Sequence, residues 1–210
     1  MLAHFGEAMK PQVLAIESED SRQLSELISR RRQLVEMLTA EKNRCNRARG
    51  EALNDIEIHI EFLKKRLDRL NQEIEKSTKN NQEYQDKVNL LKTTPGIGQV
   101  IATTLVADLP ELGQLSAKRI SKLVGVAPLY YDSGKFKGKR MIWGGRAHVR
   151  ATLYMGAVVA MRFNPIIKAF YDRLVERGKS KKLALTACVH KMLIILNAMV
   201  RDNKAWSVSS

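Results

Sequence analysis

The sequence contains only two cysteines, Cys45 and Cys188, among its 210 residues. A disulfide framework and a cysteine-rich zinc site each need more thiols, so neither is expected to organise the fold. Residues 1–10 include a histidine and a glutamate and carry no long apolar stretch, which does not fit a secretory signal. No run of about 18 apolar residues occurs, so a membrane partner is not expected. These absences favour a cytoplasmic protein.

Acidic residues are scarce in the second half of the chain. Residues 1–114 contain 17 basic and 18 acidic side chains, whereas residues 115–210 contain 19 basic and 4 acidic ones. The net charge of +14 therefore belongs almost entirely to the C-terminal part. A basic surface segregated in this way is typical of proteins that bind nucleic acid. Charge alone leaves open a solvated basic surface, or contact with a ribosome or a membrane.

Two long helices are predicted before residue 92, because apolar residues recur at spacings of three and four along one face of each. Such heptads are typical of a coiled coil, which forms either an antiparallel hairpin within the chain or a pairing with another subunit. The stripe consists of Leu24, Ile28, Val35, Leu38 and Cys45 in the first helix, and of Leu53, Ile56, Ile60, Leu63, Leu67, Leu70, Ile74, Tyr84, Val88 and Leu91 in the second. Polar residues interrupt it at Arg31, Lys42, Ser77 and Asn81.

A glycine-rich turn follows the second helix, where residues 94–98 have the sequence Thr-Pro-Gly-Ile-Gly. It resembles the turn of a helix-hairpin-helix DNA-binding element. Gly96 and Gly98 let the backbone approach a phosphate, and the free N–H groups of the next helix point towards it. A plain turn between two helices is the alternative interpretation, since Pro-Gly sequences are common in turns.

A basic, glycine-rich segment occupies residues 129–150, and it holds the candidate site. Ser133 is the candidate nucleophile, because surrounding cations stabilise the charge that develops on phosphoryl oxygens during attack on a phosphodiester. No histidine neighbours it, which argues against an acyl-transfer triad. The residues predicted to contact phosphates here are Lys135, Lys137, Lys139, Arg140, Gly144, Gly145, Arg146 and Arg150, with Arg146 and Arg150 favoured most.

Helices are also predicted at 116–123, 148–162, 165–177 and 182–201, from apolar periodicity and glycine or proline boundaries. Their methionines and aromatics are interpreted as core. His148 and His190 are interpreted as packing or polar-face residues, since no cluster of metal ligands accompanies them. The predicted fold class is therefore mainly α, with a long coiled-coil hairpin followed by a compact helical domain that carries the glycine turn and the basic loop.

Several short motifs together resemble the bridge-RNA-guided insertion-sequence transposases of the IS-one-hundred-ten type. The motifs that carry the resemblance are Thr94-Pro-Gly-Ile-Gly98, Leu123-Val-Gly-Val-Ala-Pro128, Asp132-Ser-Gly134, Gly144-Gly-Arg146 with Arg150, Asn164-Pro165, Lys168-Ala-Phe-Tyr171, Gly178-Lys179 and Leu196-Asn-Ala-Met199. The resemblance implies three parts: a remnant of a first domain at 1–17, a coiled coil at 18–92, and a serine transposase domain at 93–206.

The same resemblance implies a chemistry and a set of partners. Ser133 stands at the position of the family's nucleophile, which links covalently to a DNA phosphate. Magnesium is held in that family by an acidic RuvC-like domain, and a guide RNA selects the DNA sites. Residues 1–12 contain only Glu7 as a carboxylate, so we expect the acidic domain to be absent from this chain and expect no cofactor in it. The chain alone is therefore expected to be inactive, and its expected location is the bacterial cytoplasm, on the nucleoid.

Three interpretations follow from the sequence. The first is a transposase lacking its acidic domain, and the second is a non-catalytic nucleic-acid-binding or regulatory partner of full-length transposase. In either case the coiled coil could join copies of this chain, or join it to a full-length transposase. The third is a structural coiled-coil protein with a basic tail, which the segregated charge and the glycine turn disfavour.

Overall fold

The computed structural model describes residues 19–127, 142 and 144–207. In that part of the chain all regular structure is helical, which confirms the predicted mainly α fold. In chain order the helices are α1 Glu19–Cys45, α2 Glu51–Asn80, α3 Gln82–Lys92, α4 Gln99–Asp108, α5 Ala117–Val124, α6 Ala147–Phe163, α7 Pro165–Glu176 and α8 Lys181–Asp202.

The first two helices pair with each other as an antiparallel hairpin. Arg31 Nε donates to Asn71 Oδ1 at 2.7 Å, and Glu41 Oε1 lies 3.3 Å from His59 Nδ1, so the residue numbers run in opposite directions across the pair. The apolar residues buried between the helices are Leu24, Ile28, Leu34, Leu63, Leu67, Leu70 and Ile74. Of the two pairings that the heptads allow, the structure therefore contains the one within the chain.

The seam of the hairpin differs in register from the predicted stripe. Leu34 is buried at 4% exposure, whereas Val35 is 38% exposed. On α2 the buried polar residue is Thr78 rather than Ser77, and its hydroxyl donates to the Ile74 carbonyl at 2.8 Å. A straight helix drifts against a strict heptad, which moves the buried position by one residue over several turns. Burial of Thr78 is tolerated because its hydroxyl is satisfied within the helix.

The predicted second helix is broken in two. Asn81 has an extended backbone, ends α2, and caps α3 by accepting a hydrogen bond from the Tyr84 N–H at 3.1 Å. An asparagine in an extended conformation is a favoured N-cap, which explains why the helix restarts here. Asn81 therefore does not continue a coiled-coil seam. Tyr84, which follows it, packs against both the hairpin core and the C-terminal core.

The C-terminal domain is built around α8, which buries eight side chains among its neighbours. By length and a mean hydropathy of 1.8, α8 could also span a membrane, but core helices of globular domains have the same properties. Thr94 Oγ1 donates to Met199 Sδ at 3.3 Å, and the Asn164 amide lies 3.5 Å from the neighbouring Pro95 carbonyl. The C-terminal ends of α6 and α8 are thus close together, beside the glycine-rich turn at 94–98.

The hairpin core should contribute directly to stability. We expect Leu63→Ala to lower the free energy of unfolding by about 2–5 kcal/mol, because the buried side chain leaves a cavity. The neighbouring Phe62 is 56% exposed while Leu63 is 2% exposed, so Phe62→Ala is a matched control with a far smaller expected effect. Urea denaturation of the three proteins would compare them. Equal losses would show that the hairpin is not packed as described.

Candidate functional site

The two ends of the basic segment meet at one point of the structure. The Arg146 N–H, just before α6, donates to the Leu123 carbonyl near the end of α5 at 2.9 Å. Helix α5 itself ends in a left-handed residue, Gly125, whose N–H and that of Val126 bond back to the last turn. Residues 128–141 and 143, between these anchors, lie outside the described residues. We call the crossing of 123–126 with 144–146 the neck.

Glycines let the two backbones of the neck touch. A Cβ at Gly125 would collide with the Gly144 carbonyl oxygen, and a Cβ at Gly145 would lie 2.5 Å from the Gly125 nitrogen. Both residues also have positive φ, at 76° and 63°. Gly144 shares the left-handed conformation, at 72°, but has open space where a side chain would stand. Close approach therefore requires glycine at 125 and 145, whereas conformation alone favours it at 144.

Arg150 holds the neck together from the first turn of α6. Its Nη1 donates to the Gly144 carbonyl at 2.7 Å and to the Val124 carbonyl at 3.1 Å, and it lies 3.4 Å from the Gly125 carbonyl. One guanidinium thus donates hydrogen bonds to carbonyls of both backbone segments that meet at the neck. The several N–H donors of arginine make it suited to this role. The sequence pointed to Arg150 as a phosphate contact, and the structure gives it a structural role at the neck. Contact with phosphate stays a prediction.

Arg146 is paired with a carboxylate rather than left unpartnered. Its two terminal nitrogens contact the Glu111 oxygens at 2.6 and 2.7 Å, and Nη1 also donates to the Asp108 carbonyl at 2.9 Å. Burial raises the pKa of Glu111, but hydrogen bonding and charge from Arg146 outweigh it, so the pKa lies below its usual range. Arg146 therefore ties the neck to the loop after α4, and its contact with phosphate also stays a prediction.

A second polar group lies beside this pair. Asp108 Oδ2 is 3.1 Å from His148 Nε2, and Ser25 of the hairpin donates to Asp108 Oδ1 at 3.3 Å. Burial raises the pKa of Asp108, although the charge of His148 and the Ser25 hydrogen bond oppose it. These contacts connect α1, α4 and α6, and Asp108 and His148 line a 790 Å³ cleft between the three helices. The interpretation of His148 as a polar packing residue agrees with this position.

The glycine turn divides into one half-buried and one exposed position. Gly96 has φ 103°, and a Cβ there would lie 2.7 Å from the Ala160 side chain, so this glycine is needed for packing against α6. Gly98 is exposed, precedes α4, and provides no side-chain cap for its first N–H groups. Only Gly98 therefore stands where a phosphate could reach the start of α4. The helix-hairpin-helix interpretation stays a prediction.

The remaining predicted site residues, Ser133, Lys135, Lys137, Lys139 and Arg140, lie outside the described residues, and their roles stay predictions. The described part of the chain contains no group of three or more histidine, cysteine, aspartate or glutamate side chains that could hold a metal ion. Sequence reasoning missed Glu111 and Asp108, because it searched for cations. Their one signal is that they are the last carboxylates before the basic half of the chain.

Comparison with known proteins gives this site a family context. Residues 88–172 match the family model described as "Transposase IS116/IS110/IS902 family". The pilin gene-inverting proteins of Moraxella bovis and Moraxella lacunata are each 26% identical over 210 residues, covering 98% of this chain and 65% of the relative. The uncharacterized 42 kDa protein of insertion element IS900 from Mycobacterium paratuberculosis is 31% identical over 123 residues, covering 56% of this chain and 30% of that protein.

The matched residues 88–172 include the neck and the whole basic segment. The chain spans less than two thirds of the length of the relatives described above.

The neck glycines provide a test of the backbone crossing. Gly144→Ala should cost on the order of 1–3 kcal/mol from its left-handed conformation alone. Gly145→Ala carries the same conformational penalty and also collides with the Gly125 backbone, so we expect a clearly larger loss of stability. Thermal and urea unfolding would measure both. Equal effects of the two substitutions would contradict the described contact.

The Glu111–Arg146 pair should make stability depend on pH. Because the pKa of Glu111 is lowered in the folded protein, its contribution is present above the ordinary glutamate pKa and is lost as pH falls through the folded value. Glu111→Gln should therefore lose stability at neutral pH and flatten the acid side of the stability curve. Glu73→Gln, at an exposed position of α2, is the matched control. A Glu111→Gln curve parallel to the wild-type curve would contradict the pairing.

Proposed function

We propose that this chain is the DNA-binding and strand-joining part of a transposase or DNA-inverting recombinase, with Ser133 as its nucleophile. The observation that carries the proposal is the neck: within the segment matched to transposases, it brings together the residues that flank the cation-rich, serine-bearing segment. A segment fixed at both ends leaves fewer positions open to its reactive group, and such restriction lowers the entropic cost of attack. The names of the relatives, a gene-inverting protein and insertion-element proteins, agree with this function.

The proposed reaction is a phosphoryl transfer from DNA to the protein. The Ser133 oxygen forms a bond to phosphorus, its proton passes to a base, and the bond to the leaving deoxyribose oxygen breaks. That oxygen takes up a proton and leaves as a hydroxyl. One phosphodiester replaces another, so the reverse attack by a different DNA hydroxyl rejoins the strands without an added energy source. The lysines and the arginine near Ser133 would stabilise the charge on the phosphoryl oxygens.

The partners of this reaction are proposed from the resemblance. DNA is the substrate, a guide RNA chooses the sites, and the resemblance assigns magnesium to a separate acidic domain. The described residues do not fit a magnesium site, because they hold no cluster of three or more suitable ligands. No step proposed for this chain therefore passes through a metal. Gly98 provides no side-chain cap for α4, so the first N–H groups of this helix are proposed to bind a phosphate of the nucleic acid, whatever the base sequence.

Association with another copy or with a longer transposase is proposed through the outer face of the hairpin. The inner stripe is already covered by the pairing of α1 with α2. Ile58 and Phe62 lie one turn apart on the outer face and are 62% and 56% exposed. An i, i+4 apolar pair of this kind suits a contact between helices. The proposed contact therefore differs from the seam that the heptads first suggested.

The serine assignment is tested by substitution in this chain joined to an acidic domain of the family. Ser133→Ala should abolish the covalent protein–DNA adduct and recombination while leaving DNA affinity nearly unchanged, because the hydroxyl adds a bond to phosphorus rather than a charge. Tyr131→Phe, which removes a nearby hydroxyl, is the matched control and should still form the adduct. Mass spectrometry of the trapped adduct would map the attached residue.

Three outcomes separate the alternatives. An adduct on Tyr130 or Tyr131, or recombination by the Ser133→Ala protein, would overturn the serine assignment. Tight DNA binding with no adduct in any variant would favour the non-catalytic, regulatory alternative. Failure to bind DNA or RNA at all would remove the transposase proposal as a whole.

A further inference from the structure

A second basic surface lies away from the neck, at the turn between α7 and α8. Its five cations are exposed, and Glu176 is the only carboxylate among residues 173–183. The cations are Arg173, Arg177, Lys179, Lys181 and Lys182. We call this surface the α7–α8 basic turn. Just before it, Lys168 is paired with Asp172 at 2.8 Å, whereas within the described residues none of the five cations forms an ion pair.

The backbone of the α7–α8 basic turn is held in a defined conformation. The Gly178 N–H donates to the Val175 carbonyl at 2.8 Å, and the Lys179 N–H donates to the Leu174 carbonyl at 3.1 Å. With Gly178 at φ 78°, these are the two bonds of a Schellman motif. The cations are therefore presented from a fixed turn rather than from a freely moving loop, which reduces the entropy lost when a partner binds.

Aromatic stacking fixes one of the cations further. The Arg173 guanidinium lies over the Phe170 ring at 5.3 Å, and Lys191 of α8 lies over the same ring at 4.7 Å. A cation stacked on an aromatic ring keeps its charge while losing freedom of movement. The basic surface thus continues from the turn onto the flank of α7 and α8. Its shape is that of an extended charged strip rather than an isolated group.

We propose that the α7–α8 basic turn binds the phosphate backbone of duplex DNA. This inference rests on the proposed function, and it assigns to one ordered surface the nucleic-acid binding that the segregated charge indicated only for residues 115–210 as a whole. Ordered cations that form no ion pair within the described residues suit a polyanion whose charge is regularly spaced. A lipid surface is disfavoured, because Leu183 is the only large apolar side chain exposed there and membrane-binding helices need a broad apolar face.

The test compares two charge-matched triple variants of the whole chain. The first carries Arg177→Gln, Lys179→Gln and Lys181→Gln. The control carries Lys65→Gln, Arg66→Gln and Lys76→Gln, at exposed positions of α2. The affinity for a duplex of mixed sequence is measured against salt concentration. Each lost phosphate contact lowers the slope of log K against log salt by about 0.9, so the first variant should lose nearly 3 from the slope and the control almost nothing.

Other outcomes would overturn the inference. Slopes that are equal in the two variants, or a loss confined to single-stranded RNA, would show that the turn does not hold duplex DNA. Circular dichroism and unfolding curves would establish that both variants fold. A third variant, with Lys135, Lys137 and Lys139 changed to Gln, keeps the two proposals distinguishable. Wild-type protein that binds no DNA would defeat the proposed function itself, whereas binding that is lost only in this third variant would defeat the inference alone.

Discussion

Direct backbone contact at the neck is the constraint on which the candidate site depends. Gly125 and Gly145 let two chain segments meet with no side chain between them, and the Arg150 guanidinium bonds to carbonyls from both. Val124 is buried at this crossing, so its carbonyl needs a donor, which Arg150 supplies. The ends of the basic segment are thereby fixed relative to α5 and α6.

The fold was largely predictable because it follows from apolar periodicity. The stripe from Ile60 to Ile74 was placed correctly, since each of its members is buried and those from Leu63 onwards share one core with α1. The heptad pattern misplaced the buried position at Val35 and did not predict the break at Asn81. Such a pattern takes account neither of the drift of a straight helix nor of capping geometry. Periodicity also could not choose between pairing within the chain and pairing with another subunit. That choice depends on the loop at 46–50, which is short enough to bring α2 back along α1.

The candidate site was less predictable, because sequence reasoning assigned every cation in it to phosphate. Arg146 and Arg150 have partners inside the protein, and those partners are a carboxylate and backbone carbonyls distant in sequence. A carbonyl acceptor leaves no trace in a sequence, and Glu111 precedes the basic region by many residues. The glycine motif showed the same limit: Gly96 is required by contact with α6, a helix some sixty residues later. Motif residues can therefore have structural roles that local spacing does not reveal.

The cations of the C-terminal helices differ in whether they are paired within the protein, and this difference determines how much each can contribute to binding a polyanion. A net positive half could bind nucleic acid anywhere if all its cations were equivalent. They are not, because Arg146 has a bidentate partner near the interior whereas the cations around Gly178 have none in the described part of the chain. A cation already paired with a carboxylate releases fewer counterions when a polyanion binds, so it adds less to affinity than an unpaired one. Under the proposed function, affinity for DNA therefore depends more on the cations of the α7–α8 basic turn than on Arg146, whose charge is already paired within the protein.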